Sequence, residues 1–146
     1  MPRPENQVAL TPRQKFEIFR AAYAKLNEYI KSEEYIAAHV IAFSILEDRV
    51  LANRLTCEEF NNEILDKKIN RNKIPFDKSV RKLLEIKVID ENLQKQLAAC
   101  GKERNEFIHQ AMWRLDEFNH ASILKIRKTI NELEKCKRAF VKLHKK

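Results

Sequence analysis

Residues 35–46, YIAAHVIAFSIL, constrain the fold more than any other stretch, because as a helix they are apolar around nearly the whole circumference. Such a helix cannot lie on a surface and has to be enclosed by other elements, which puts it in the middle of a bundle. The flanks supply the enclosing helices. Thr11-Pro12-Arg13-Gln14 joins a capping residue, a first-turn proline and a glutamine three places after the cap, the signature of a helix start. Phe16, Phe19, Tyr23, Leu26 and Ile30 then recur at spacings of three and four and line one face for burial. Ser32 is placed to cap the central helix, which turns amphipathic at EDRVLANR.

Thr56-Cys57-Glu58-Glu59 repeats the capping-box pattern and predicts a separate, shorter helix. The polar stretch DKKINRNK (66–73), ended by Ile74-Pro75, reads as a basic loop whose Lys67, Lys68, Arg71 and Lys73 are candidate RNA contacts. Asp77 can cap KSVRKLLEIKVI (78–89), Asp90 a long helix to about Met112, and Asp116 the last helix. In that last helix Ile123, Ile126, Ile130, Leu133, Cys136, Phe140 and Leu143 keep a three-four rhythm. With no period-two alternation, no repeat and no domain boundary, the expectation is an all-α, up-and-down bundle of about five helices. It forms a single domain over residues 1–146, with residues 1–10 expected to be flexible. A chain of 146 residues buries about 68–70% of its unfolded surface and needs no covalent staple.

Composition narrows the chemistry. A single glycine excludes a phosphate-binding P-loop or a GxGxxG turn, both of which need several positions of close backbone approach. Cys57, Cys100 and Cys136 are odd in number and far apart, which fits free cytosolic thiols rather than disulfides or a zinc site. No segment has the apolar length of a membrane span and the N-terminus lacks a signal-peptide core, so a cytoplasmic location away from membranes is expected. The net charge of +8 suits an anionic partner such as RNA.

The helix after Asp90 breaks its own pattern. Leu93, Leu97, Cys100, Phe107, Ile108, Ala111 and Leu115 cluster on one side, and Arg104 falls among them. A guanidinium aimed inward keeps its charge and has to meet either a carboxylate or an anion, and Glu47 and Asp48 are the candidate partners. A second stripe of small residues, Ala98 and Gly101 with Asn105 and Met112, runs beside the first and has His109 at its edge. It is a candidate dimer face, since Gly101 costs roughly 1 kcal/mol inside a helix and signals a close neighbour. His109 stands ~40° from Asn105 and ~140° from Arg104 around the helix axis. Histidine, with a pKa of about 6.5, can exchange a proton with a 2′-hydroxyl or a leaving oxygen, while arginine stabilises charge on a phosphate. This chemistry needs neither metal nor cofactor, and no other histidine lies at ligand spacing to His109.

Arg104-Asn105-x-x-x-His109 on a late helix of a small α-helical domain resembles the Arg-Asn-x-x-x-His signature of the HEPN (higher eukaryotes and prokaryotes nucleotide-binding) superfamily. The resemblance implies a metal-independent endoribonuclease acting as a homodimer, of the kind found in bacterial toxins, with an antitoxin partner, and in antiviral defence. Arg104, Asn105 and His109 would be its functional residues and Glu47 or Asp48 its supporting acid. Ala111 stands where the toxins paired with minimal nucleotidyltransferase antitoxins carry tyrosine, so the resemblance does not extend to that subfamily. The alternative reading is a non-catalytic helical module that binds RNA, nucleotide or a protein through the same cleft or through the basic loop.

Overall fold

The computed structural model describes residues 11–60 and 74–145. These form five α-helices: α1 (Pro12–Lys31), α2 (Tyr35–Phe60), α3 (Phe76–Glu85), α4 (Glu91–Gln110) and α5 (His120–His144). Two short 3-10 turns, Ala111–Trp113 and Leu115–Glu117, separate α4 from α5. Among the described residues there is no strand, and no helix is long and apolar enough to cross a membrane.

As its sequence requires, α2 is the central helix and is packed by α1, α3 and α5, while α4 lies on α3 and α5. Ala38, Ala42, Phe43, Ile45, Leu46 and Val50 of α2 are buried against Leu26 of α1, Leu83 of α3, Leu97 of α4 and Ile126, Ile130 and Leu133 of α5. Polar ties flank this core. Arg49 Nε donates to Glu134 Oε1 (2.6 Å), Asn53 Nδ2 donates to the same oxygen (3.1 Å), and the Arg49 guanidinium lies 5.1 Å from the Phe19 ring, so α1, α2 and α5 meet at one cation. Burial raises the Glu134 pKa, but the hydrogen bond and charge of Arg49 outweigh it and leave the carboxyl below its ordinary value. His39 meets Ser122 and Arg49 meets Glu134, so α2 and α5 run in the same direction.

Helix boundaries depart from the sequence reading at Ser32, Thr56, Asp77 and Asp116 and at the end of α3. Asp77 is not the cap of α3, which already begins at Phe76 after Pro75, and its carboxylate accepts from Arg81 at 3.0 Å instead. Ser32 does not open α2. It ends α1, with its backbone N–H and its hydroxyl both donating to the Glu28 carbonyl, because Glu33 turns the chain with φ of 60° before α2 can begin. Thr56 opens no new helix: α2 continues to Phe60, held by the burial of Cys57 and Glu58, with Arg54 Nε donating to Glu58 (3.0 Å) and its Nη1 to Ser79 of α3 (3.3 Å). Burial and a tertiary hydrogen bond thus override a local capping signal. Asp116 lies in a 3-10 turn and Asn119 caps α5 instead, accepting from the Ser122 N–H at 3.0 Å. Thr11 and Asp90 cap α1 and α4 as expected, with Asp90 accepting from the Leu93 N–H at 2.8 Å. The basic stretch with Lys67, Lys68, Arg71 and Lys73 lies outside the described residues.

α3 stops at Glu85 rather than running on to Ile89. The Lys87 N–H donates to the Leu84 carbonyl and the Val88 N–H to the Leu83 carbonyl, with Lys87 at φ of 66°. This is a Schellman ending, which normally recruits glycine at the left-handed position, and α1 ends the same way at Glu33. A side chain there carries a steric cost that glycine lacks. Lys87 is exposed, so Lys87→Gly is expected to raise unfolding stability by up to about 1 kcal/mol, measured by urea denaturation.

Candidate functional site

α4 is anchored by its first three turns, where Leu93, Leu97 and Cys100 are buried. Arg104 is the next position on that stripe, at the rim of the core with 28% of its side chain exposed. Its Nη1 donates to Glu47 of α2, and its Nη2 donates to the side-chain oxygen of the neighbouring Asn105 at 2.9 Å. Its Nε is buried without a hydrogen-bond partner. Beside the guanidinium, Phe43, Leu46, Phe76, Cys100 and Gly101 line a crevice too narrow for a water molecule, so among the described residues Arg104 has no room for an anion on that side. Glu47 is therefore the carboxylate that meets the cation. Asp48, the next residue of α2 and ~100° further round, is partly buried.

The Asn105 oxygen is committed to Arg104, so this residue orients the guanidinium rather than the imidazole. Asn105 and His109 are both exposed and one helical turn apart on α4, and His109 makes no hydrogen bond or ion pair among the described residues. The motif thus splits into a clamped cation at the bundle rim and an exposed imidazole further along the same helix.

The small-residue stripe has two different explanations. A Cβ on Gly101 would stand 3.0 Å from the Phe76 ring of α3, so an aromatic neighbour within the chain accounts for the glycine. Ala98 and Met112 face outward. Around His109 the surface is apolar: Ile108 is 65% exposed, Met112 71% and Trp113 80%, so Trp113 is not a core residue of a single copy. Arg114 fixes the following turn by donating to Glu106 (2.6 Å) and to Glu117.

One functional-looking pair was not visible in the sequence. His39, buried within the apolar run of α2, has Nδ1 2.7 Å from the Tyr35 carbonyl and Nε2 2.7 Å from the Ser122 hydroxyl. A carbonyl only accepts, so Nδ1 carries the proton, while the single Ser122 hydroxyl proton lies between Nε2 and the Asn119 carbonyl 2.8 Å away. Phe107 and Phe118 pack on the imidazole, with ring centroids 6.1 and 5.1 Å away. The only trace in the sequence is a histidine inside an otherwise apolar run.

The thiols are poor nucleophiles. Burial pushes Cys57 up to about 11 and raises Cys100 and Cys136, leaving all three protonated near neutral pH. Among the described residues no group of three His, Cys, Asp or Glu side chains is placed to hold a metal ion. No family model, no curated protein and no solved structure matches this chain.

Burial holds the His39 pKa below its ordinary value, against the smaller opposing effects of the Tyr35 carbonyl and the Glu103 charge. The unfolded chain then binds a proton more readily than the folded one. Stability from the neutral imidazole is full above about pH 6.5 and is lost as the pH falls below it toward the lowered folded value. Urea unfolding of wild type between pH 7 and 5 is expected to show a steeper loss than that of His39→Gln, whose amide does not titrate; equal slopes would refute this assignment.

Proposed function

We propose that the chain is a metal-independent endoribonuclease that acts as a homodimer. The observation that carries the reading is the arrangement on α4: a guanidinium held at the surface by Glu47 and Asn105, followed by an exposed, unengaged imidazole. In this scheme His109 takes the proton of a 2′-hydroxyl, and the 2′-oxygen attacks the adjacent phosphorus. The bond from phosphorus to the 5′-oxygen breaks, and the second copy's His109 returns a proton to that oxygen. Arg104 stabilises the charge on the non-bridging oxygens, with Glu47 and Asn105 as positioning residues. The products are a 2′,3′-cyclic phosphate and a 5′-hydroxyl. An antitoxin and a role as toxin or antiviral factor belong to the same proposal.

The dimer is supported by the apolar surface around His109. Ile108, Met112 and Trp113 are large apolar side chains left mostly exposed close to the imidazole in the chain, and a cluster of such side chains is what an association surface presents. Closing two such faces would bring two His109 side chains together. A second reading, a non-catalytic module that binds RNA, nucleotide or protein, is favoured by one fact: Glu47 already meets much of the Arg104 charge within one copy.

In EDTA, the wild-type protein should cut RNA to ends bearing cyclic phosphate, and Arg104→Ala and His109→Ala should each slow cleavage by about 10²- to 10⁴-fold. Cleavage that requires a divalent metal, or that survives both substitutions, removes the catalytic reading; RNA bound without cleavage favours the module. In light scattering at micromolar concentration the wild type should be a dimer and Ile108→Glu/Trp113→Glu a folded monomer. A monomeric wild type would overturn the composite site.

A further inference from the structure

α5 carries seven Lys or Arg against two Glu, and it does not distribute them evenly. Its inner face, Ile123, Ile126, Ile130, Leu133 and Phe140, is buried in the core. Lys128, Lys135, Arg138, Lys142 and, just past the helix, Lys145 are all exposed and follow one another at spacings of seven, three, four and three. That spacing lines them along one side of the helix over about 26 Å. The two acids of α5 do not balance this row. Glu134 is turned inward to Arg49 and Asn53, and Glu132 reaches only Lys135, at 3.6 Å. Lys128, Arg138, Lys142 and Lys145 make no ion pair among the described residues.

Like charges three and four residues apart repel and weaken a helix by about 0.2–0.5 kcal/mol per pair. Attraction to the negative end of the helix explains cations in the last turn, at Lys142 and beyond, but its reach does not extend back to Lys128, Lys135 and Arg138. A row that works against its own helix finds compensation in an extended polyanion. Insertion into a membrane surface fits poorly, because a helix lying in that interface needs its apolar face outside, and α5 keeps that face in the core. Its exposed large apolar side chains are only Leu124 and Leu143, near opposite ends. The row also lacks an aromatic residue on which bases could stack.

We propose that the outer face of α5 is a docking rail for the phosphate backbone of RNA, independent of base sequence. It lies elsewhere in the sequence from the basic stretch at 66–73, and it rests on the reading of RNA as the partner but not on cleavage.

The test measures binding of the full chain, in EDTA, to a fluorescent 2′-O-methyl RNA, which cannot form the cyclic product. Lys128→Gln/Arg138→Gln/Lys142→Gln is compared with Lys31→Gln/Lys78→Gln/Lys95→Gln, which removes three exposed cations elsewhere, and circular dichroism checks folding of both. The α5 variant should bind roughly tenfold or more weakly, with the slope of log K against log salt reduced in magnitude by about 2 to 3, and the control should stay near wild type. Equal losses in both variants, no loss in either, no RNA binding by wild type, or a rail that serves only phosphatidylserine vesicles would each overturn the proposal. Binding retained by wild type and by His109→Ala, with no cleavage of ordinary RNA, would sink the nuclease reading and leave the rail standing.

Discussion

A helix without a hydrophilic side imposes its position on everything around it. Exposing the run from Ala38 to Val50 would place several fully apolar side chains in water, each worth about 1.5–3 kcal/mol on burial, so α1, α3, α4 and α5 are arranged around it, leaving a strip at Ile36, Val40 and Ser44 open among the described residues. The polar residues of α2 are accordingly found where that enclosure has edges. Glu47 meets α4, Arg49 and Asn53 meet α5, Arg54, paired with Glu58 of its own helix, meets Ser79 of α3, and His39 meets the cap of α5. These contacts fix which helix lies on which side of α2, a choice that apolar packing alone leaves open.

The candidate site follows from the same geometry. Arg104 is the first position of α4 at which the buried stripe reaches the rim, so its charge could be kept only where Glu47 stands across from it. Beyond that point Phe107 still joins the aromatic cluster of His39 and Phe118, while Ile108, His109, Met112 and Trp113 project past the core. Core packing therefore explains the first part of the motif-bearing helix and leaves the second part exposed among the described residues.

Most of the architecture was legible because it is written in periodicity: the five helices, the enclosed α2, the caps at Thr11 and Asp90 and the pairing of Arg104 with Glu47 all follow from which residues are apolar and how they are spaced. The misplaced boundaries at Ser32, Thr56 and Asp116 share one cause. A side chain that can cap a helix forms that cap only if the chain turns there, and the turn is decided by distant contacts such as Arg54 to Ser79 or by a left-handed residue such as Glu33. Gly101 in the sequence points to a close neighbour and a dimer face, whereas the neighbour found within the chain is Phe76, whose approach depends on how α3 enters the bundle. His39 with Ser122 was not legible, since nothing local joins residues 83 positions apart.

The shared direction of α2 and α5 has a consequence for how the chain is made. The contacts that complete the enclosure of α2 span 83 to 85 residues, so at a ribosome adding roughly 5–20 residues each second the central helix waits several seconds for its last wall. During that interval its greasy circumference is covered only in part, by α1 and then by α3 and α4 as they emerge. The nascent chain thus stays open to clumping until α5 emerges, and over that interval a chaperone would find an apolar face to hold.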